Sequence, residues 1–271
     1  MNIFKFYIFF NLVNLYIFGG CCNLNKNKNN NNLSKENNDD KNNNKDDKKN
    51  EENKKDKKNK KNVILLTTGA LNPVHKGHIN SLKLAQDYLE NNGFNVEKIY
   101  LSPSSDIYLK NKLNNGRIDY YYNFEDRLKM CKLAIDDFKK ENDNNKYNIE
   151  VSDWEGRQPK FVDFPDVIKH FQNDIKNKNK IIFYICGSDH YNKNVNLNNI
   201  VVIKRDEDII NLKNKDNNLI INDNSNSDFS STKVRNIINK IKDDNDIDNN
   251  KKELEKYLYK SVIEYIENIK D

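Results

Sequence analysis

The segment from Val63 to Leu89 limits what this chain can fold into more than any other. Val63-Ile64-Leu65-Leu66 is a short, wholly apolar run, the pattern of a strand covered on both faces. It leads through Thr67-Thr68-Gly69-Ala70-Leu71-Asn72-Pro73 to His75-Lys76-Gly77-His78, after which Ile79, Leu82, Ala85 and Leu89 recur at helical spacing. Strand, tight turn and helix in that order open a βα unit, which calls for parallel strands. His78 then falls at a helix N-terminus, where unpaired N–H groups and the positive end of the helix dipole favour an anion, above all phosphate. Two imidazoles at that point can add hydrogen bonds to a phosphoryl group. A metal site is the weaker alternative, because His170, His190, Cys131 and Cys186 show no ligand spacing with the pair.

The same alternation continues downstream. Lys98-Ile99-Tyr100-Leu101, Tyr147 to Val151 and Lys180 to Cys186 read as strands. Phe124, Leu128, Cys131, Ile135 and Phe138 mark an amphipathic helix, and Leu254, Leu258, Val262 and Ile266 predict one more near the end. The expected fold is α/β, a Rossmann-like doubly wound parallel sheet forming a single domain over 63–271. A second anion-binding candidate lies at Asp228-Phe229-Ser230-Ser231-Thr232-Lys233-Val234-Arg235, where Ser230 or Ser231 would cap a helix carrying Lys233 and Arg235. The alternative is an ordinary helix cap.

Residues 23–62 consist of Asn, Lys, Asp and Glu apart from Leu24, Leu33 and Ser34, so they form a low-complexity linker that cannot bury a core and is expected to be disordered. Its thirteen lysines against eight acidic residues account for the +5 of the whole chain. Basicity is therefore a tail property, and no nucleic-acid partner is implied for the domain. Residues 1–22 form an apolar leader, readable as a signal peptide, as a signal anchor or as an extension with no targeting role.

His75-Lys76-Gly77-His78 resembles the His-x-Gly-His signature of the nucleotidylyltransferases, and with Ser230-Ser231-Thr232-x-x-Arg235 the chain resembles the nicotinamide/nicotinate mononucleotide adenylyltransferases. Ser102-Pro103-Ser104-Ser105-Asp106-Ile107-Tyr108-Leu109-Lys110, Val151-Ser152-Asp153-Trp154-Glu155 and Cys186-Gly187-Ser188-Asp189 follow the eukaryotic form of that family in order and approximate spacing. The resemblance implies transfer of the adenylyl group of ATP to nicotinamide or nicotinate mononucleotide, with Mg²⁺ carried mainly on the ATP phosphates. It implies catalytic roles for His78, His75 and Arg235, and ATP binding by Gly69, His75, His78, Gly187, Asp189, Ser230, Ser231 and Arg235. For the mononucleotide it implies Thr68, Ala70, Asn72, Lys110 and Trp154, with Lys112 a neighbouring competitor to Lys110. Trp154, the sole tryptophan, would stack on the pyridine ring, its alternative being a core plug. Ala70 stands where the family usually has a hydroxyl, and the short, Asn-rich stretch Tyr191 to Ile200 leaves the second wall of the pyridine pocket unassigned.

Two alternatives stay open. One is another member of the superfamily, such as a pantetheine-phosphate adenylyltransferase or a cytidylyltransferase; the other is a non-catalytic nucleotide-binding or chaperone-like protein. Homo-oligomer formation is also open, and membrane contact is expected only if the leader is a signal anchor. An ATP-dependent enzyme is expected in the cytoplasm or nucleus, or in the secretory pathway or an organelle if the leader directs it there.

Overall fold

Alternation along a single strand sets up the layers of this protein. The computed structural model describes residues 60–142, 146–174, 177–194, 198–205, 208–210, 218–223, 225, 228–243 and 247–269. These all lie in the compact unit Asn50–Asp271. The leader over 1–22 and nearly all of the linker over 23–62 lie outside the described residues. Strand β1 (Lys61–Gly69) begins two residues earlier than its apolar run, because Lys61 and Asn62 pair with Phe94 and Asn95. Along it, Val63 and Leu65 enter one apolar cluster while Ile64 and Leu66 enter another. None of the four is more than 1 % exposed. A strand buried on both sides needs helices on both sides, the condition for a doubly wound sheet.

The chain meets that condition with α1 (Lys76–Asn91), β2 (Phe94–Pro103), α2 (Asp106–Asn114), α3 (Phe124–Glu141), β3 (Ile149–Val151), α4 (Phe164–Asn173), β4 (Ile181–Gly187), α5 (Ser188–Asn194), β5 (Ile200–Lys204), β6 (Leu219–Asn222) and α6 (Ser231–Asp243), followed by α7 (Ile247–Tyr257) and α8 (Lys260–Asn268). The sheet order is β3-β2-β1-β4-β5-β6 with every pairing parallel. The larger cluster packs residues of α1, α3, α6, α7 and α8 against one face; Phe164, Val167 and Phe171 of α4 and Tyr191 of α5 cover the other. The expected α/β doubly wound fold is the one observed.

One helical period proves misleading. Leu254, Leu258, Val262 and Ile266 do not share one helix, since α7 stops at Tyr257 and Tyr259 caps α8. All four still face the same core region, so the spacing reports a buried face that crosses a break. Among the described residues, no helix is long and apolar enough to cross a membrane.

Candidate active site

The strand order reverses direction between β1 and β4: from β1 the chain moves outward to β2 and β3, and from β4 it moves the other way to β5 and β6. In such a sheet the loops leaving the strand ends at that point diverge and leave a crevice. A cavity of about 1050 Å³ occupies it, lined by Thr67 to Leu71 after β1, by Cys186 to His190 after β4, and by parts of α1, α2 and the 229–231 segment.

His75 and His78 stand in its wall. His75 caps α1 in extended backbone geometry, and its main-chain N–H donates to His78 Nδ1 at 3.1 Å. That Nδ1 must therefore be unprotonated, which puts the His78 proton on Nε2 as a donor for a ligand. The rings stack with centroids 3.6 Å apart. Burial, followed by the neighbouring His78 and Arg205, holds His75 well below the usual histidine range. Burial and then Arg205 bring His78 down to about 4. Both imidazoles are neutral at pH 7, and His75 Nδ1 is buried without a hydrogen-bond partner. Lys76, between them, turns away, its ammonium donating to the Glu255 carbonyl at 2.7 Å.

A stability prediction follows from these values. The folded-state pKa of each histidine lies below that of the unfolded chain, so on acidification the unfolded chain takes up protons first. This contribution is intact above about pH 6.5 and drains away as the pH falls toward 4, by on the order of 2–3 kcal/mol for His78 alone. Urea melts of the wild type from pH 7 to pH 4.5 are expected to show the loss, and His78→Gln is expected to flatten it. Parallel curves for the two proteins would remove His78 as the source.

Behind the histidines the turn after β1 is held from several sides. Leu71 adopts φ 47°, in the left-handed region that costs a branched residue about 1–3 kcal/mol, and Asn72-Pro73 is cis. Asn72 does not line the cavity. It is 1 % exposed, donates its side-chain amide to the Tyr120 carbonyl and accepts from the Tyr122 N–H. Arg235 is set back too, with Nη1 donating to the Asn72 carbonyl at 2.9 Å and Nη2 to Thr232 Oγ1 at 3.2 Å. The cation that lines the cavity on this side is Arg205, at the end of β5. Its lack of any recognisable motif hides it in the sequence. Fully buried Arg127 completes the support, donating to the carbonyls of Ala70 and Tyr122 and to Asp106.

The second predicted segment reaches the same cavity. Ser230 Oγ accepts from the Lys233 N–H and so caps α6, Ser231 Oγ donates to the Pro73 carbonyl, and both serines line the cavity. Phe229 lies against Gly77 and stacks on His75 with centroids 6.0 Å apart. A Cβ on Gly77 would stand 2.6 Å from the Phe229 Cβ, an atom close to the backbone that cannot swing aside. Gly77→Ala is expected to cost about 1–3 kcal/mol through overpacking and to push the 229–231 segment off the histidines. Gly69→Ala, whose Cβ would meet nothing nearer than 3.6 Å, should melt like the wild type. Equal melting of the two variants would show that the contact yields.

At the end of β1, Thr68 shares a 2.8 Å hydrogen bond with Tyr184 of β4, and Gly69 and Ala70 line the cavity. Glu155, 4 % exposed, accepts from Ser102 Oγ at 2.7 Å, and burial pushes its carboxyl up to about 7. It faces the cavity ready to accept or donate a hydrogen bond. Trp154 is half-buried against the smaller apolar cluster and parallel to His170 at 3.7 Å; it does not line the cavity. Lys110 is exposed and likewise outside the lining, whereas Lys112, Arg117, Tyr108 and Phe161 belong to it. On the β4 side Gly187 and Asp189 line it.

Comparison with known proteins follows this geometry. A family model described as cytidylyltransferase-like matches residues 66–237, more than half of the chain. The chain belongs to the cytidylyltransferase-like family. Curated relatives include nicotinamide/nicotinic acid mononucleotide adenylyltransferase 2 of Xenopus tropicalis, 34% identical over 116 residues, which are 42% of this chain and 33% of that protein. The Arabidopsis thaliana nicotinamide/nicotinic acid mononucleotide adenylyltransferase is 27% identical over 135 residues, covering 47% of this chain and 49% of the relative. The matches thus span between a third and a half of those relatives. Among solved structures, the Plasmodium falciparum nicotinic acid mononucleotide adenylyltransferase complexed with NaAD has a TM-score of 0.53 at 19% identity, covering 76% of this chain and 94% of that one. At that identity the likeness speaks for a common fold. This member of the cytidylyltransferase-like family keeps both histidines of the motif on the cavity wall, where Arg205 also stands.

Proposed function

We propose that this protein transfers the adenylyl group of ATP to nicotinamide or nicotinate mononucleotide, giving NAD or deamido-NAD and pyrophosphate. The observation that carries this reading is the convergence on one cavity of the stacked, neutral histidine pair at the α1 N-terminus and the serine-capped N-terminus of α6. Two helix ends with their N–H groups turned to one space favour a polyphosphate. The names of the curated relatives support the choice of acceptor.

In the proposed reaction a phosphate oxygen of the mononucleotide attacks the α-phosphorus in line. The new O–Pα bond forms as the bond from Pα to the bridging oxygen breaks, and pyrophosphate leaves with that oxygen's electrons. The attacking phosphate is already ionised at neutral pH, so the protein's part is positioning and charge stabilisation. His78 would donate from Nε2 to a phosphoryl oxygen, His75 would steady its neighbour, and Arg205, Ser230 and Ser231 would receive the leaving group. Asp189 would accept from the ribose hydroxyls of ATP. Among the described residues no three His, Cys, Asp or Glu side chains converge on a metal position. Mg²⁺ would come carried on the triphosphate and would supply charge neutralisation for the departing pyrophosphate.

The test is pyrophosphate release by the full chain with ATP and Mg²⁺, offering nicotinamide mononucleotide, nicotinate mononucleotide and phosphopantetheine in turn. Release with a pyridine mononucleotide is expected. Release with phosphopantetheine alone would move the protein to a sister activity, and ATP binding without release from any of the three would make it a nucleotide-binding protein.

A further inference from the structure

We infer that Tyr257, at the corner between α7 and α8, is a positioning residue that holds the two phosphate-facing helix ends at the spacing the reaction needs; this rests on the polyphosphate reading above and deepens it. The N-termini of α1 and α6 are far apart in sequence, and their motifs meet where Ser231 Oγ donates to the Pro73 carbonyl and Phe229 packs on His75. Each motif also carries a lysine, and both lysines leave the cavity for the same corner. Lys76 Nζ donates to the Glu255 carbonyl at 2.7 Å and stands 5.5 Å from the centre of the Tyr259 ring. Glu255 lies in the last turn of α7, where carbonyls run out of partners within the helix and the negative end of the dipole favours a cation. Lys233 Nζ lies 4.8 Å from the centre of the Tyr257 ring. Neither lysine belongs to the cavity lining, and nor does Tyr257.

Tyr257 is 7 % exposed and meets Phe229 edge-on, with ring centroids 5.7 Å apart at 81°. Phe229 stacks in turn on His75 at 6.0 Å, and His75 on His78 at 3.6 Å. An unbroken line of rings thus runs from the end of α7 to the histidine that donates to the substrate. Side chains in such direct contact couple energetically. Tyr257 bears on both helix ends at once, on α1 through Phe229 and the histidines, and on α6 through Lys233. Without its ring Phe229 loses the support behind it, and the 229–231 segment is free to drift from His75.

Full-length wild type, Tyr257→Leu, Tyr257→Phe, Phe229→Leu and the Tyr257→Leu/Phe229→Leu pair would be titrated with inorganic tripolyphosphate below their melting temperatures and assayed for pyrophosphate release. Tyr257→Leu is expected to bind tripolyphosphate roughly tenfold more weakly, to raise KM for ATP and lower kcat, and to leave KM for the mononucleotide as in the wild type. Tyr257→Phe keeps the ring and should match the wild type, and Tyr257→Leu should add nothing in the Phe229→Leu background. Should Tyr257→Leu not fold, Lys76→Met carries the test from the other helix: compared at about 0.5 M salt, where the lost charge is screened, it should still weaken tripolyphosphate binding and raise KM for ATP. Either variant melting earlier yet binding tripolyphosphate as the wild type does would reduce the corner to packing and overturn the inference. So would additive losses in the double variant, or a mononucleotide KM that rises along with that of ATP. Wild type that does not bind tripolyphosphate would overturn the polyphosphate reading itself, a result distinct from variants that bind it as tightly as a competent wild type.

Discussion

Replacing His78 with alanine is expected to lower turnover roughly 10²- to 10³-fold, the usual effect of removing one preorganised donor from a developing oxyanion. The fold should lose far less. The substitution removes a single internal hydrogen bond, from the His75 N–H to Nδ1 at 3.1 Å, which contributes about 1 kcal/mol. In a domain of this size that is a shift in melting temperature of roughly 2–4 °C. The variant also loses a group whose pKa of about 4 destabilises the fold in acid, so its deficit should shrink as the pH drops toward 5. Pyrophosphate release and thermal melts on the same preparations separate the two effects. A variant that melts much earlier yet turns over normally would make His78 a packing residue of the α1 terminus.

What could be read from the sequence was what local pattern encodes. Val63 to Leu66, the turn and the start of α1 are contiguous, and a strand buried on both faces shows itself as an unbroken apolar run. The α6 cap was legible for the same reason, since Ser230 and Lys233 are three residues apart. The residues that reach the cavity from distant parts of the sequence were not legible. Arg205 stands in a charged stretch that reads as a surface loop, and only the parallel pairing of β5 with β4 brings its end to the cavity. Phe161 lies between Pro159 and Pro165, where no period marks a buried or exposed face. Asn72 and Arg235 belong to legible motifs, but the sequence could not show that the Arg235 guanidinium donates to the Asn72 carbonyl. For Arg127 there was a signal. It sits three residues after Phe124 and four before Cys131, on the apolar face of α3, where a guanidinium is tolerated only if partners are waiting for it.

Those partners make Arg127→Met the substitution with the largest expected effect on stability. The methionine fills most of the space but donates nothing. It leaves the carbonyls of Ala70 and Tyr122 and one oxygen of Asp106 without the bonds of 2.8–2.9 Å they now receive. Asp106 is 41% exposed and can turn to water, and its other oxygen keeps the Phe124 N–H, so most of the cost falls on the two carbonyls. At about 1–3 kcal/mol for each unpaired buried group, the loss should reach roughly 3–5 kcal/mol. Arg127→Lys should recover little, because one ammonium cannot replace a planar fork reaching three directions. Asp106→Asn keeps the fork's other two bonds and should cost about 1 kcal/mol. Urea denaturation of the three variants would rank them, and an Arg127→Met midpoint equal to that of Asp106→Asn would refute the role of the carbonyls. The same bonds tie the cavity wall at Ala70 to the α2 terminus that carries Tyr108 and Lys112. Whatever Arg127→Met protein remains folded should therefore bind the acceptor more weakly than the wild type does, since no side chain then ties the two sides of the site together.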